Sequence, residues 1–399
     1  MKNKEITTVV ISDIHFGASS PTRLFDELKF FIDYIRELPS LDLIVIDGDY
    51  FHAKSYAQTD AIKLAMLFMS TLTDIAKSKK SKIRIVYGTE SHDAMQYGLF
   101  LSYEINFDLD FKIIYEVTEE EIFENVHVLY LPEEYVMDKK EYYSEFLNNK
   151  KKYDFVFGHG VIKEGMRMVH SNKKDEVKRL KPATFTVSDF EYCCKGKVYF
   201  GHYHVFTNMN DFCYYVGSFT RWIHGEEEPK GFIVDYMDSK GKHDTKFIEN
   251  VDAPIYQSFI FGYGDDIFKD EESTLNHLKT LENIANDDTI DKVRFVFNIP
   301  QTYENPEFFI KCVKDKFSST KKVSLLFTNG YIESKKSKNE EVLDDIVDKY
   351  DYILDKSLQM ENILHQFIND KYDKKIDIED LQRYLYGNPV EDIRRALDE

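Results

Sequence analysis

Five apolar segments of this chain run directly into glycine, aspartate or histidine, and this repeated ending constrains the fold more than any other feature. TTVVISD (7–13) leads into Asp13-Ile14-His15. LDLIVID (41–47) leads into Gly48-Asp49, with Phe51-His52 just beyond. KIRIVYG (82–88) leads into Thr89-Glu90-Ser91-His92-Asp93, YDFVFG (153–158) into His159-Gly160, and GKVYFG (196–201) into His202-Tyr203-His204. These runs have the length and the β-branched or aromatic content of strands. Helical patterns separate the first three. Ser20-Pro21 supplies a cap and a first-turn proline. Leu24, Phe25, Leu28, Phe31, Ile32, Ile35 and Leu38 follow at helical spacing. A second helix is expected near 59–77, with Ile62, Ala65, Met66, Met69, Leu72 and Ala76 on one face. Strand, helix, strand in this rhythm predicts an α/β fold. The carboxyl ends of the strands in such a sheet lie together, so the endings are expected to converge on one crevice.

What converges there is metal-binding chemistry. Asp13 and His15 are two residues apart, so an extended chain points both to one side, and the same holds for His202 and His204. Mixed carboxylate and imidazole donors without cysteine suit manganese, zinc or iron, and their number suits two ions. Asp49 follows the most buried strand and is the natural bridge between them. His127, His170, His224, His243, His277 and His365 fall outside the pattern and read as structural or surface residues. Ser91, His92 and Asp93 spell the letters of a hydrolase triad, but adjacent residues do not place their side chains in a relay, so nucleophilic serine is excluded. Cys193, Cys194, Cys213 and Cys312 form no CxxC pair, which argues against a disulfide framework and a cysteine-bound zinc.

A second unit is expected from Pro254. IYQSFIF (255–261), VRFVFNI (293–299) and KVSLLFT (322–328) read as strands, with helices at 273–285 and 306–317 between them, a small βαβαβ domain. ESKKSKNEE (333–341) reads as a charged linker. Beyond it Leu343, Ile346, Tyr350, Ile353, Ser357, Met360, Leu364 and Phe367 alternate spacings of three and four, a narrow heptad seam interrupted by Ser357. The seam fits a helix packed on its own domain or a docking arm for a partner coiled coil. The expected domains are 1–250, 251–332 and 333–399. The net charge of −19 argues against broad charge-driven binding to a polyanion. Basic clusters at Lys77–Lys82, Lys150–Lys152 and Lys173–Lys181 are available to touch phosphate, and metal ions offset acidic groups locally. No apolar run approaches the length of a membrane span. The N-terminal apolar run is too short for a signal-peptide core, so a cytoplasmic location is expected.

Taken in order, DxH, GD, a Gly…His-Asp segment, GH and GHxH resemble the calcineurin-like metallophosphoesterases over residues 1–235. GDYFH (48–52) and YVGSFTRWIHGEEEPKGFIVDY (215–236) are similar, more narrowly, to the SbcD-type exonuclease subunits of DNA repair and their phage recombination relatives. The resemblance implies a two-sheet sandwich flanked by helices, a small α/β capping domain and a C-terminal helical segment. That segment, here 338–399, would grip an SbcC-type coiled-coil ATPase. The resemblance assigns Asp13, His15, Asp49 and His204 to one metal ion, and Asp49, His159 and His202 to the other. It makes His92 a catalytic histidine that does not bind metal, and His52 a histidine lining the approach of DNA. The usual Gly-Asn-His-Asp is stretched to Gly-Thr-Glu-Ser-His-Asp. Ser91 therefore stands where an asparagine would ligate, and the second ion is expected to bind more weakly. The implied activity is that of a manganese-dependent DNA exonuclease and single-strand endonuclease, a cytoplasmic homodimer (host cytoplasm if phage-encoded) with Met66 and Met69 on its dimer face. Two alternatives stand beside it. One is a phosphomonoesterase or protein phosphatase of the same fold, which usually carries an arginine just after GD, absent from GDYFHAKSY. The other is a non-catalytic scaffold for the ATPase.

Overall fold

The computed structural model describes residues 5–55, 59–105, 108–165, 181–320 and 322–328. The heptad seam and the 333–341 linker lie outside them. Strand Ile6–Ile11 pairs in parallel with Leu43–Asp47, which pairs with Lys82–Val86, which pairs with Phe111–Ile114. On its other side Ile6–Ile11 meets Gly231–Met237 antiparallel, and that strand meets His243–Glu249, completing a six-stranded sheet. A second six-stranded sheet sets Val126–Leu131, Tyr153–His159, Cys194–Gly201 and Cys213–Tyr215 side by side in parallel. Thr118–Phe123 and Thr207–Asn208 run antiparallel at its edges.

The continuous apolar runs are explained by burial on both faces. Val9, Ile11, Ile44, Ile46, Ile83 and Ile85 turn one way, into a core shared with Leu24, Phe31, Phe68 and Leu72 of two helices. Their neighbours Val10, Val45 and Val86 turn the other way and meet Tyr130, Phe155, Phe157 and Tyr199 of the second sheet. This is a mixed α/β sandwich of two sheets flanked by helices: the strand–helix rhythm predicts the α/β class, and the family resemblance implies the two-sheet sandwich. The flanking helices are Pro21–Glu37 and Asp60–Lys79; in the second, the Thr59 hydroxyl accepts from the Ile62 amide at 3.3 Å. Met69 corrects an expectation. It is fully buried in the core beneath these helices, so it is not available to a surface between copies, and Met66 packs against the same core.

Tyr256–Phe261, Lys292–Asn298 and Val323–Thr328 form a separate parallel sheet, joined by helices Glu271–Ala285 and Pro306–Phe317. Phe295, Phe297, Phe309, Val313 and Leu281 fill its own core. Asp270 caps the first of these helices by accepting from the Ser273 amide, and Asn305 caps the second by accepting from Phe308. This layer is tied back to the sandwich. Arg23 Nη2 donates to Asp291 at 3.0 Å, and the Arg221 guanidinium donates to the Pro254 carbonyl.

The chain divides into two units. The first takes in the described residues up to Glu133, from Phe146 to 165 and from Thr184 onward, and contains everything above. The second takes in Glu134–Glu145 and residues 181–183. In it Tyr135–Val136 pairs antiparallel with Lys181–Pro182, and the hydroxyls of Tyr142 and Tyr143 donate to the Glu134 carboxylate. Among the described residues no helix is long and apolar enough to cross a membrane.

Candidate metal centre

The strand ends converge as their order implies, and the backbone there is bent sharply. Asp13, His15, Asp49 and His202 take positive φ of 49°, 52°, 46° and 99°. Such conformations cost roughly 1–3 kcal/mol each in non-glycine residues and persist where surrounding bonds dictate them. Those bonds are present. The Asp13 amide donates to the Gly48 carbonyl at 3.2 Å, and His15 donates to Asp49 at 3.0 Å. The His202 amide donates to the Asp13 carboxylate, 3.1 and 3.2 Å from its two oxygens. Gly48, at φ +82°, lies so close to the His159 ring that any Cβ would collide with it.

Two donor sets form around Asp49. On one side His15 Nε2 lies 3.7 Å from Asp49 Oδ2, 3.9 Å from Asp13 Oδ1 and 3.1 Å from His204 Nε2. His204 Nε2 is 3.6 Å from Asp13 Oδ1. On the other side His159 Nε2 lies 3.3 Å from Asp49 Oδ1, without the alignment of a hydrogen bond. His202 and Glu133 stand next to it, with His202 Nδ1 3.2 Å from Glu133 Oε2. The two oxygens of Asp49 thus face different histidines, the arrangement a bridging carboxylate requires. Two imidazoles are held from behind. His159 Nδ1–H donates to the Asp47 carbonyl at 2.8 Å, and His204 Nδ1–H donates to the Glu226 carboxylate. Each such bond fixes the tautomer and turns the free Nε2 inward, as partners behind metal-bound histidines do.

The electrostatics are those of a cation site. Asp13, His159, His15 and Asp49 are all buried. Burial pushes His15 well below the ordinary histidine range, so its imidazole is neutral and has a lone pair to give. Burial would also lower His159, but Asp49, Asp13 and Glu133 around it raise its proton affinity well above the ordinary value. Burial would raise Asp49, yet His159 and His15 hold it below the usual carboxylate range. A negative pocket with an orphaned inward-facing nitrogen, in nitrogen and oxygen donors without sulfur, fits a pair of divalent ions.

Around this centre stand aromatic groups. His92 Nδ1–H donates to the His52 carbonyl at 2.5 Å, and the two rings lie 5.5 Å apart at 30°. The His92 ring is 4.8 Å from that of His15. Trp222 packs on His52, His15 and His204 with ring centroids 4.8, 4.9 and 5.2 Å away. Asp93 takes no part in a relay with His92. It accepts from the amides of Phe51 and Gly88 and from the Tyr97 hydroxyl, and so fastens the loop.

Two revisions follow for the site. Ser91 is exposed, on the short helix Glu90–Asp93, because the residues added ahead of it begin that helix. The carboxylate found beside His159 and His202 is instead Glu133, which the motif reading missed. Its signal was available: VHVLYL (126–131) is a β-branched and aromatic run, and Pro132-Glu133 follows it as the other candidate residues follow theirs.

The sequence matches the family described as calcineurin-like phosphoesterase over residues 6–206. No curated protein matches the chain. Solved structures similar to it include one with 13% identity that covers 62% of this chain and 99% of its own, at a TM-score of 0.35. Others are a cold-active protein-tyrosine phosphatase of the psychrophile Shewanella sp. (12% identity, 60% of this chain and 80% of that one, TM-score 0.27) and a cold-active protein tyrosine phosphatase solved at 1.1 Å (13% identity, 60% and 78%, TM-score 0.26).

Proposed function

The chain belongs to the calcineurin-like phosphoesterase family, and from that premise we propose that it is a manganese-dependent nuclease that hydrolyses DNA phosphodiesters. The observation that carries the reading is the residue set after the Gly48-Asp49 turn. Tyr50 and Phe51 are buried, and His52 is the next side chain at the site. A phosphomonoester dianion carries one more negative charge than a diester and calls for a guanidinium or ammonium beside the metals. Among the described residues, the cations close by are engaged elsewhere: Lys230 donates to the His204 carbonyl at 2.7 Å, and Arg221 donates to backbone carbonyls. A diester, with a single charge, suits a rim of His52, His92 and Trp222.

Asp13, His15, Asp49 and His204 would hold one ion, and Asp49, His159 and His202 the other. When bound, such ions polarise a phosphoryl group and make water acidic enough to act as the nucleophile near neutral pH. The protein residues do the rest. Asp47 and Glu226 keep His159 and His204 aimed inward through their Nδ1 hydrogen bonds. His92, anchored by Nδ1–H on the His52 carbonyl, would as an imidazolium carry a second proton on Nε2, deliver it to the departing oxygen and be left as the neutral Nδ1–H ring. The flat face of Trp222 is a surface on which a base adjoining the scissile phosphate stacks. We extend the proposal to an SbcC-type ATPase partner bound through 338–399, on the strength of the heptad seam in the sequence.

The test pairs end-labelled DNA, single- and double-stranded, with a chromogenic phosphomonoester, each with manganese and with chelator. The expected result is metal-dependent DNA cleavage and little monoester turnover. Efficient monoester turnover without DNA cleavage would replace this reading with that of a phosphatase, and no turnover of either would favour a scaffold.

A further inference from the structure

We propose that Glu133 is a direct ligand of the second metal ion, so that the two ion positions are equivalent: each has two imidazoles, one carboxylate of its own and a share of Asp49. The inference rests on the two-ion reading of the centre. Four observations support it. Glu133 is only 5% exposed, and its amide donates to the Tyr87 carbonyl at 3.3 Å, which draws the end of one sheet onto the end of the other. Leu131 pairs with Gly158 in the sheet, so Glu133 emerges beside His159. Its Oε2 lies 3.2 Å from His202 Nδ1. Lastly, the Thr89 hydroxyl is 3.4 Å from Asp49 Oδ2 and 3.2 Å from Glu133 Oε2, so one hydroxyl spans two carboxylates.

Two buried carboxylates this near each other repel, and one hydroxyl and neighbouring imidazoles offset only part of that cost. A divalent cation between Asp49, Glu133, His159 and His202 would remove it. The chemistry also answers the loss of the asparagine. A neutral carbonyl is replaced by an anionic oxygen, the stronger donor for a hard cation. The first position already has this composition, with Asp13 in the role of Glu133. The expected weakness of the second ion therefore disappears.

The plainer alternative is that Glu133 only orients His202. The two roles differ in size: a residue behind a ligand costs roughly 10–100-fold in metal affinity when removed, whereas loss of a ligand removes the ion. The experiment is manganese titration of the full chain by calorimetry, with electron paramagnetic resonance to detect spin-coupled ion pairs. The unmodified protein is expected to bind two ions with affinities within about tenfold of each other and to show the coupled signal. Glu133→Ala and Glu133→Gln are each expected to keep one ion, lose the other by more than ~100-fold and lose the coupled signal, with circular dichroism unchanged. Ser91→Ala is expected to keep both. Two ions retained in both Glu133 variants, at unchanged or modestly weakened affinity, would overturn the proposal, as would loss of an ion in Ser91→Ala. Because no substrate is present, two equivalent ions in a protein that does not cut DNA would sink only the nuclease reading.

Discussion

His15 Nε2 faces His204 Nε2 at 3.1 Å inside a buried pocket. His204 is held at Nδ1 by the Glu226 carboxylate, which with Asp13 raises its proton affinity above the ordinary histidine value, while burial keeps His15 neutral, so one proton between the two Nε2 atoms joins the rings. A divalent cation that accepts a lone pair from each ring would displace that proton, and it binds the folded pocket in preference to the unfolded chain. Metal is therefore expected to stabilise the fold by linkage, by about 2.7 kcal/mol per ion at a free concentration one hundred times its Kd. Calorimetric scans should show Tm rising with manganese and falling with chelator. An unchanged Tm across that range would mean that the pocket is not a metal site.

Asp49 supplies one oxygen to each donor set. Asp49→Ala should leave DNA cleavage at background and reduce bound manganese below two ions per chain. Full occupancy in that variant would show that Asp49 does not bridge.

His92 is anchored on the His52 carbonyl and belongs with His15 and His52 to a further group of mutually close donors. If it moves a proton and binds no metal, His92→Ala should lower kcat by roughly 10²–10⁴ with metal content intact. Manganese stoichiometry, measured alongside kcat, decides the point, because a ligand would lose its ion together with the rate.

Glu27 gives a pH prediction away from the metals. Burial raises its carboxyl from 4.5 to about 7, against the lowering effect of its bonds to Thr220 and Asn250. The folded state therefore holds a proton that the unfolded chain releases near its ordinary pKa. This contribution to stability is complete below that ordinary value and is lost as pH climbs to about 7. At about 1.4 kcal/mol per pKa unit the loss is on the order of 3 kcal/mol. Urea unfolding of the metal-free chain should show stability falling across this window, and Glu27→Gln should flatten the fall. A slope unaltered by that substitution would mean Glu27 is ionised in the fold.

The sequence made the centre legible wherever a candidate ligand follows the buried apolar end of a strand, as with Asp13, Asp49, His159 and His202. Burial on both faces produces such a run, and it is hard to mistake. Glu133 escaped because Glu134 stands next to it and the strand Thr118–Phe123, read TEEEIF, announces an exposed edge where the run VHVLYL belongs to the interior. Ser91 misled because matching letters assumes that the loop keeps its path, whereas Thr89 and Glu90 start a helical turn that faces Ser91 outward. Glu226 was visible only within GEEEP, where nothing local distinguishes the glutamate that turns toward His204 from the two beside it.

Trp222 is the chain's single tryptophan, and its ring packs on only one of the two donor sets, that of His15 and His204. Its ring packs 4.9 Å from His15 and 5.2 Å from His204, while His159 and His202 are not among its ring contacts. Intrinsic fluorescence therefore reports the position served by His15 and His204. Manganese, which is paramagnetic, should quench the indole as that position fills, and chelator should restore the emission. His204→Ala should lose most of the quenching, whereas Glu133→Ala should keep it, since Glu133 serves the other position. Ring contacts of this kind are worth about 0.5–1.5 kcal/mol each. Trp222→Ala should thus weaken the first ion by about tenfold through looser imidazoles and leave the second unchanged in a calorimetric titration. Equal quenching in the His204 and Glu133 variants would show that the indole does not discriminate the two positions.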